Sequence, residues 1–95
     1  MTSKQRKKLQ ALASQIDAIM QIGKGGINDN LIKSLSDALD KRELIKLSVL
    51  QNQEESARSL GETLANELSA ECVIAIGRKI VLYRESTENK KIFLP

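Results

Sequence analysis

The sequence predicts a single α/β domain, with three helices and a four-stranded mixed sheet in the order α-β-α-β-α-β-β. Three observations predict it. The 95 residues suit one domain. Helical periodicity then alternates with short strand-like runs, the pattern of parallel strands joined by crossovers. Finally, the last two apolar runs are separated only by Gly77-Arg78-Lys79, a hairpin signal that makes the sheet mixed.

Residues 3–16 read as the first helix, because Leu9, Leu12, Ala13 and Ile16 recur at i, i+3, i+4 and i+7. Thr2 and Gln5 have capping-box spacing, which starts the helix near Ser3. Lys4, Arg6, Lys7 and Lys8 crowd its first turns, where the helix dipole disfavours cations by a few tenths of a kcal/mol each. They do nothing for the helix, so a solvated basic end and a binding role both remain open. Residues 18–22 form a strand that ends at the loop Gly23-Lys24-Gly25-Gly26. The second helix spans 29–41, with Leu31, Leu35, Ala38 and Leu39 on its apolar face and Asn28 as its N-cap. Residues 44–50 alternate, with Ile45, Leu47 and Val49 on one side and Lys46 and Ser48 on the other, as a half-buried strand does.

After a polar turn at 51–55, the third helix runs over 54–69 with Ala57, Leu60, Leu64, Ala65 and Leu68 inward. Gly61 in its interior costs helix stability, which a closely packed neighbour would explain. Residues 72–76 and 80–84 are the closing strands. Residues 85–95 are polar and basic before Ile92-Phe93-Leu94, and form either a loose tail or a short docked segment of the same 1–95 domain.

Composition sets limits on function. At 41% hydrophobic and 28% charged, the chain is that of an ordinary globular domain. The single Cys72 excludes an intramolecular disulfide and a Cys-rich zinc site, fits a reducing compartment, and begins an apolar run as a small core residue. No run of about 18 apolar residues offers a membrane helix, and no apolar segment of a secretory signal follows Lys8. A cytoplasmic protein with no membrane partner is expected. The absence of histidine rules out Ser-His-Asp and Cys-His nucleophiles. Asp37, Asp40, Glu62 and Glu67 fall on polar helix faces or ends and read as solvated surface. The expectation is a non-enzyme without metal or cofactor.

The net charge of +3 is unevenly spread. Residues 1–24 carry five basic and one acidic residue, residues 25–70 five and eight, and residues 71–95 five and three. Folding can gather the two basic ends onto one side, and such a patch suits a polyanion.

The loop Gly23-Lys24-Gly25-Gly26 lacks the spacing of a Walker loop. It begins like a GxGxxG dinucleotide loop, but Asn28 stands where the third glycine belongs. Gly23 and Gly26 do give GxxG between a strand and a helix, the arrangement with which KH-type proteins clamp an RNA backbone. Without Cβ atoms the chain can approach a sugar-phosphate closely, the free N–H groups of the next helix point toward an anion, and Lys24 adds a charge. Asp29 in the first helical turn opposes this, and a plain strand-to-helix turn also explains the glycines. A nucleotide-binding protein using the loop as a phosphate site, and a small protein-interaction module, are the rival readings. Tyr83 and Phe93 are the only aromatic residues, so no RRM-like stacking platform exists. RNA bound here would be read by backbone and shape, with steep salt dependence.

The motifs Ile22-Gly23-Lys24-Gly25-Gly26, Ala38-Leu39, Glu43-Leu44-Ile45-Lys46, Ile76-Gly77 and Val81-Leu82-Tyr83-Arg84, in this order, resemble the CRM (chloroplast RNA splicing and ribosome maturation) domain family in its stand-alone bacterial, YhbY-type form. The resemblance covers the chain from Lys4 to Pro95. It implies a domain related in shape to the C-terminal domain of an initiation factor, RNA binding through the GxxG loop, and association with precursors of the large ribosomal subunit. Ser14 and Ala18 stand where the family often has a histidine and a proline, which removes any contact made by that histidine and leaves the loop intact. The expected site is Gly23, Lys24, Gly25 and Gly26 on the RNA backbone. Lys4, Arg6, Lys7 and Lys8, with Arg78, Lys79 and Arg84 from the hairpin, supply the electrostatic surface. The expected partner is ribosomal RNA, bound by a monomer.

Overall fold

Local sequence signals decide where the elements begin in the computed structural model, which describes residues 1–95. Helix α1 (Ser3–Ala13) starts at a complete capping box: the Thr2 hydroxyl accepts from the Gln5 backbone, and the Gln5 side chain accepts from Thr2 N–H. Helix α2 (Asp29–Arg42) starts at Asn28, whose side chain accepts from Leu31 N–H. Helix α3 (Ala57–Leu68) starts at Ser56, whose hydroxyl accepts from Ser59 N–H. The strands are β1 (Ala18–Ile22), β2 (Leu44–Val49), β3 (Glu71–Ile76) and β4 (Lys79–Tyr83). The element order is the expected one.

The sheet order is β1-β2-β4-β3. Strand β1 pairs with β2 in parallel through the α2 crossover, while β4 is antiparallel to both β2 and β3. The predicted mixed sheet is therefore present, with the closing hairpin inserting its second strand into the middle. Its turn is Gly77-Arg78 alone, with Gly77 at φ +59°, where a residue with a Cβ would be strained.

The two faces of the sheet carry two cores. Ile22, Ile45, Leu47, Val49, Ile80 and Leu82 pack against α2 and α3 through Leu35, Leu39, Leu60, Leu64 and Leu68. On the other face Leu44, Val73, Val81 and Tyr83 pack against Leu9 and Ala13 of α1. Gly61 lies where α3 crosses β3, and a Cβ there would sit 2.8 Å from Cys72 Sγ, so the glycine is a packing requirement.

Two helix ends differ from the sequence reading. Helix α1 stops at Ala13 rather than near residue 16, but Gln15 N–H and Ile16 N–H bond back to Leu12 O and Ala13 O. That tighter turn still delivers Ile16 to the core, which is why its helical spacing misled. Helix α3 begins at Ala57 rather than Glu54, because Gln53 Oε1 takes Glu55 N–H into a local turn and Ser56 supplies the cap.

The segment after β4 lies against the α1 face. Buried Glu43, between α2 and β2, accepts Ser86 N–H at 2.8 Å, Lys91 N–H at 2.5 Å and Ile92 N–H at 2.8 Å. Ile92 and Leu94 then reach the core under α1, and Gln5 Nε2 donates to Pro95 O at 3.1 Å.

Candidate nucleic-acid interface

Gly23-Lys24-Gly25-Gly26 folds as one β-turn, closed by Gly26 N–H donating to Gly23 O at 3.0 Å. The Gln53 side chain donates to the same carbonyl at 2.8 Å, and Leu50 N–H donates to Ile22 O at 2.8 Å just before the turn. The loop after β2 thus braces the entry to the turn. Its glycines have different reasons to be there. Gly26 has φ +66°, and a Cβ on Gly23 would come to 3.3 Å from Leu50 Cδ1. Gly25 has neither constraint: its φ is not positive, and nothing lies within 4 Å of where its Cβ would be. The molecule's own packing leaves Gly25 unexplained, beside an exposed Lys24.

Leu50 also joins the turn to the β3–β4 hairpin. Arg78 Nη1 donates to Leu50 O at 3.3 Å, and Val49 N–H donates to Arg78 O at 2.8 Å. Lys79 Nζ donates to Ser48 Oγ at 2.8 Å. Lys24, Arg78 and Lys79 therefore gather at the end of the sheet where β1 and β2 finish. The potential there is mixed, since Glu54 and Glu55 line a shallow cleft with Lys24, Asn52 and Gln53, and Asp29 occupies the first turn of α2. Gln53 was not anticipated from sequence. In a polar turn it gives no signal, because its role depends on meeting a carbonyl 30 positions away.

The basic residues of α1 are elsewhere. Arg6 Nη1 donates at 3.1 Å to both Cys72 O and Val73 O, where the β3–β4 register shifts. A bulge disrupts the local ladder, and Arg6 supplies donors to its carbonyls. Cys72 and Ile76 are four positions apart, so this bulge lies about 13 Å from the hairpin turn. Lys8 Nζ donates to Phe93 O, while Lys4 and Lys7 are exposed and outside every ion pair.

Arg84 corrects the expectation of a surface contact. Its guanidinium donates to Leu68 O at 2.9 Å, to Ser36 O at 2.8 Å and to Ser36 Oγ at 3.1 Å, and pairs with Asp40 at 3.0 Å. It ties β4 to the ends of α2 and α3. Arg6 and Arg84 spend their donors inside the protein, which residue type alone could not reveal.

The largest cleft, about 500 Å³, lies away from the glycine turn, between the end of α1 and the starts of β1 and β2. Leu12, Ile16, Ile19, Leu44, Ile45 and Ile92 make it apolar, and Asp17 is its one carboxylate. Burial pushes the Cys72 thiol up from its ordinary pKa, the direction of an inert core cysteine. No helix is long and apolar enough to cross a membrane.

The fold, the turn and its position between β1 and α2 invite comparison with known proteins. The family described as CRS1 / YhbY (CRM) domain matches residues 1–84. The chain belongs to the CRS1/YhbY (CRM) domain family. A Bacillus subtilis protein named a probable RNA-binding protein, YqeI, is 50% identical over 95 residues, covering 100% of this chain and 99% of that one. A Haemophilus influenzae protein named an RNA-binding protein is 32% identical over 95 residues, with 100% and 95% covered. The Methanocaldococcus jannaschii protein MJ0652, also named a probable RNA-binding protein, is 31% identical over 93 residues, covering 96% of this chain and 69% of that one. The solution structure of SAV1595 from Staphylococcus aureus shares the fold with a TM-score of 0.83 and 54% identity, over 100% of this chain and 99% of that one. The matched CRM region ends at residue 84, so the segment held by Glu43 lies beyond it.

Proposed function

We propose that this CRM-family chain is a non-enzymatic RNA-binding protein that assists assembly of the large ribosomal subunit, holding the RNA backbone on the Gly23–Gly26 turn. One observation carries the loop assignment: Gly25 is an exposed glycine that the fold does not require, in a turn whose entry is braced by the loop after β2. A ligand that must come close to the backbone supplies the missing reason. The relatives named as RNA-binding proteins support RNA as that ligand. The ribosomal target rests on the family resemblance alone. Lys24, Arg78 and Lys79 supply charge at the turn, and Lys4, Lys7 and Lys8 a second basic area on α1. With two aromatic residues in the chain, affinity comes from phosphate neutralisation more than from base stacking.

The test combines Lys24→Glu with Gly25→Asp, both at exposed positions. The variant is expected to keep its melting curve and to bind an rRNA fragment at least about tenfold more weakly, with a shallower salt dependence. Unchanged affinity in the folded variant refutes the loop assignment. Gradient sedimentation of cell extract at low salt is expected to place the protein with large-subunit precursors, and protein confined to the top of the gradient refutes the ribosomal role.

A further inference from the structure

Backbone pairing sets four side chains in one line across the whole sheet: Gln21 opposite Ser48, Ser48 opposite Lys79, and Lys79 opposite Ile76. The next line inward holds Lys46, Val81 and Ile74. Both lines lie on the face that carries α1, because Val81 and Ile74 belong to the core beneath that helix. Helix α1 covers the opposite end of this face, over Leu44, Val73 and Tyr83, and leaves the outer line bare. Gln21 and Lys79 are exposed, Ser48 and Lys46 are half-buried, and Ile76 is the most exposed large hydrophobic side chain of the protein at 76%. This strip begins at the glycine turn, since only Ile22 separates Gln21 from Gly23.

The bare strip carries charge of one sign, and Glu71, the carboxylate on this face, lies at its far end opposite Tyr83. Helix α1 carries four cations and no carboxylate, and the bare strip adds Lys46 and Lys79. Helices α2 and α3, on the opposite face, hold five carboxylates against four cations. None of the three ion pairs uses Lys46 or Lys79, and the partner of Lys79 is the neutral Ser48 hydroxyl. A merely solvated sheet face needs polar residues, but it does not need uncompensated cations beside an unpartnered isoleucine.

We infer that a single RNA strand continues from the glycine turn across this strip toward α1. Lys46 and Lys79 neutralise phosphates along the way, and Ile76 packs on a sugar or base face. The inference rests on the proposed RNA binding at the turn and adds a path, a direction and one further cation, Lys46, to it. The path suits one strand, because the turn is a single β-turn and the strip is about 14 Å long across four strands and one or two side chains wide.

The test measures binding of an unstructured RNA oligonucleotide, and of a duplex of the same sequence, over a range of salt. Lys46→Gln and Lys79→Gln are each expected to lower the slope of log affinity against log salt by about 0.7. Lys46→Arg should restore it. Ile76→Ser should weaken binding with the slope unchanged, and Lys33→Gln and Lys41→Gln on α2 should alter nothing. Wild-type slopes in both Lys46→Gln and Lys79→Gln, with binding still lost in the turn variant, overturn the strip and leave the proposed function standing. Tighter binding of the duplex overturns the single-strand path. Failure of the unaltered protein to bind either RNA overturns both.

Discussion

Glu43 and Gly25 depart furthest from what their residue types suggest. Glu43 follows Lys41 and Arg42 at the end of a helix, where a carboxylate reads as solvated surface, yet it is fully buried at φ +65°. Burial pushes its pKa up, but the Ser86, Lys91 and Ile92 N–H groups and the Lys90 charge outweigh that and hold it below the ordinary 4.5. A folded-state pKa below the unfolded one means stability that is full above 4.5 and lost as pH falls through the lower folded value. Urea unfolding should therefore show stability falling as pH drops below about 4.5, with Ser86, Lys91 and Ile92 amides the first to lose exchange protection. Glu43→Gln should cost about 2–3 kcal/mol at neutral pH and flatten that acid dependence. The sequence could not show this role, because the donors lie 43 to 49 positions away in a segment without periodicity. Gly25 is the opposite case. Gly25→Ala should leave the melting temperature within about a degree, since no neighbour meets its Cβ, and still weaken RNA binding measurably.

At the scale of elements, caps and periodicity were legible, and every strand and helix lies within three residues of its sequence reading. The errors share a cause: Gln53 and the turn after Ala13 make local bonds that compete with the helix, and sequence spacing does not record them. Gly61 was rightly read as a close approach, and its neighbour is Cys72. Gly61→Ala should destabilise by about 1–3 kcal/mol through overpacking, even though alanine favours a helix. In a Cys72→Ala background the same change should cost much less, and calorimetry of the double-mutant cycle checks the coupling. Arg84 joins β4 to α2 and α3, so Arg84→Ala should lower stability by about 2–4 kcal/mol. RNA affinity per folded molecule should remain near that of the unaltered protein.

Across the whole molecule, the uneven charge of the sequence becomes a difference between faces. The basic first helix and hairpin share the α1 side of the sheet, and the acidic middle of the chain forms the α2 and α3 side. That separation could be guessed from the run of charges, but the insertion of β4 between β2 and β3 is what brings Lys79 beside Ser48, in line with Gln21 and next to Lys46 on the neighbouring row. The CRM family and the mixed α/β fold were therefore readable from motif order, whereas the extent of the basic strip needed the register. Amide-resolved NMR titration with an unstructured rRNA fragment locates the RNA on the surface of the protein. RNA held on the glycine turn should give the largest shifts at Gly23, Lys24, Gly25 and Gly26, with further shifts at Lys46, Arg78 and Lys79 and silence along the outer faces of α2 and α3. Shifts confined to α2, α3 or the apolar cleft near Leu12 and Ile16, with an unmoved glycine turn, would contradict it.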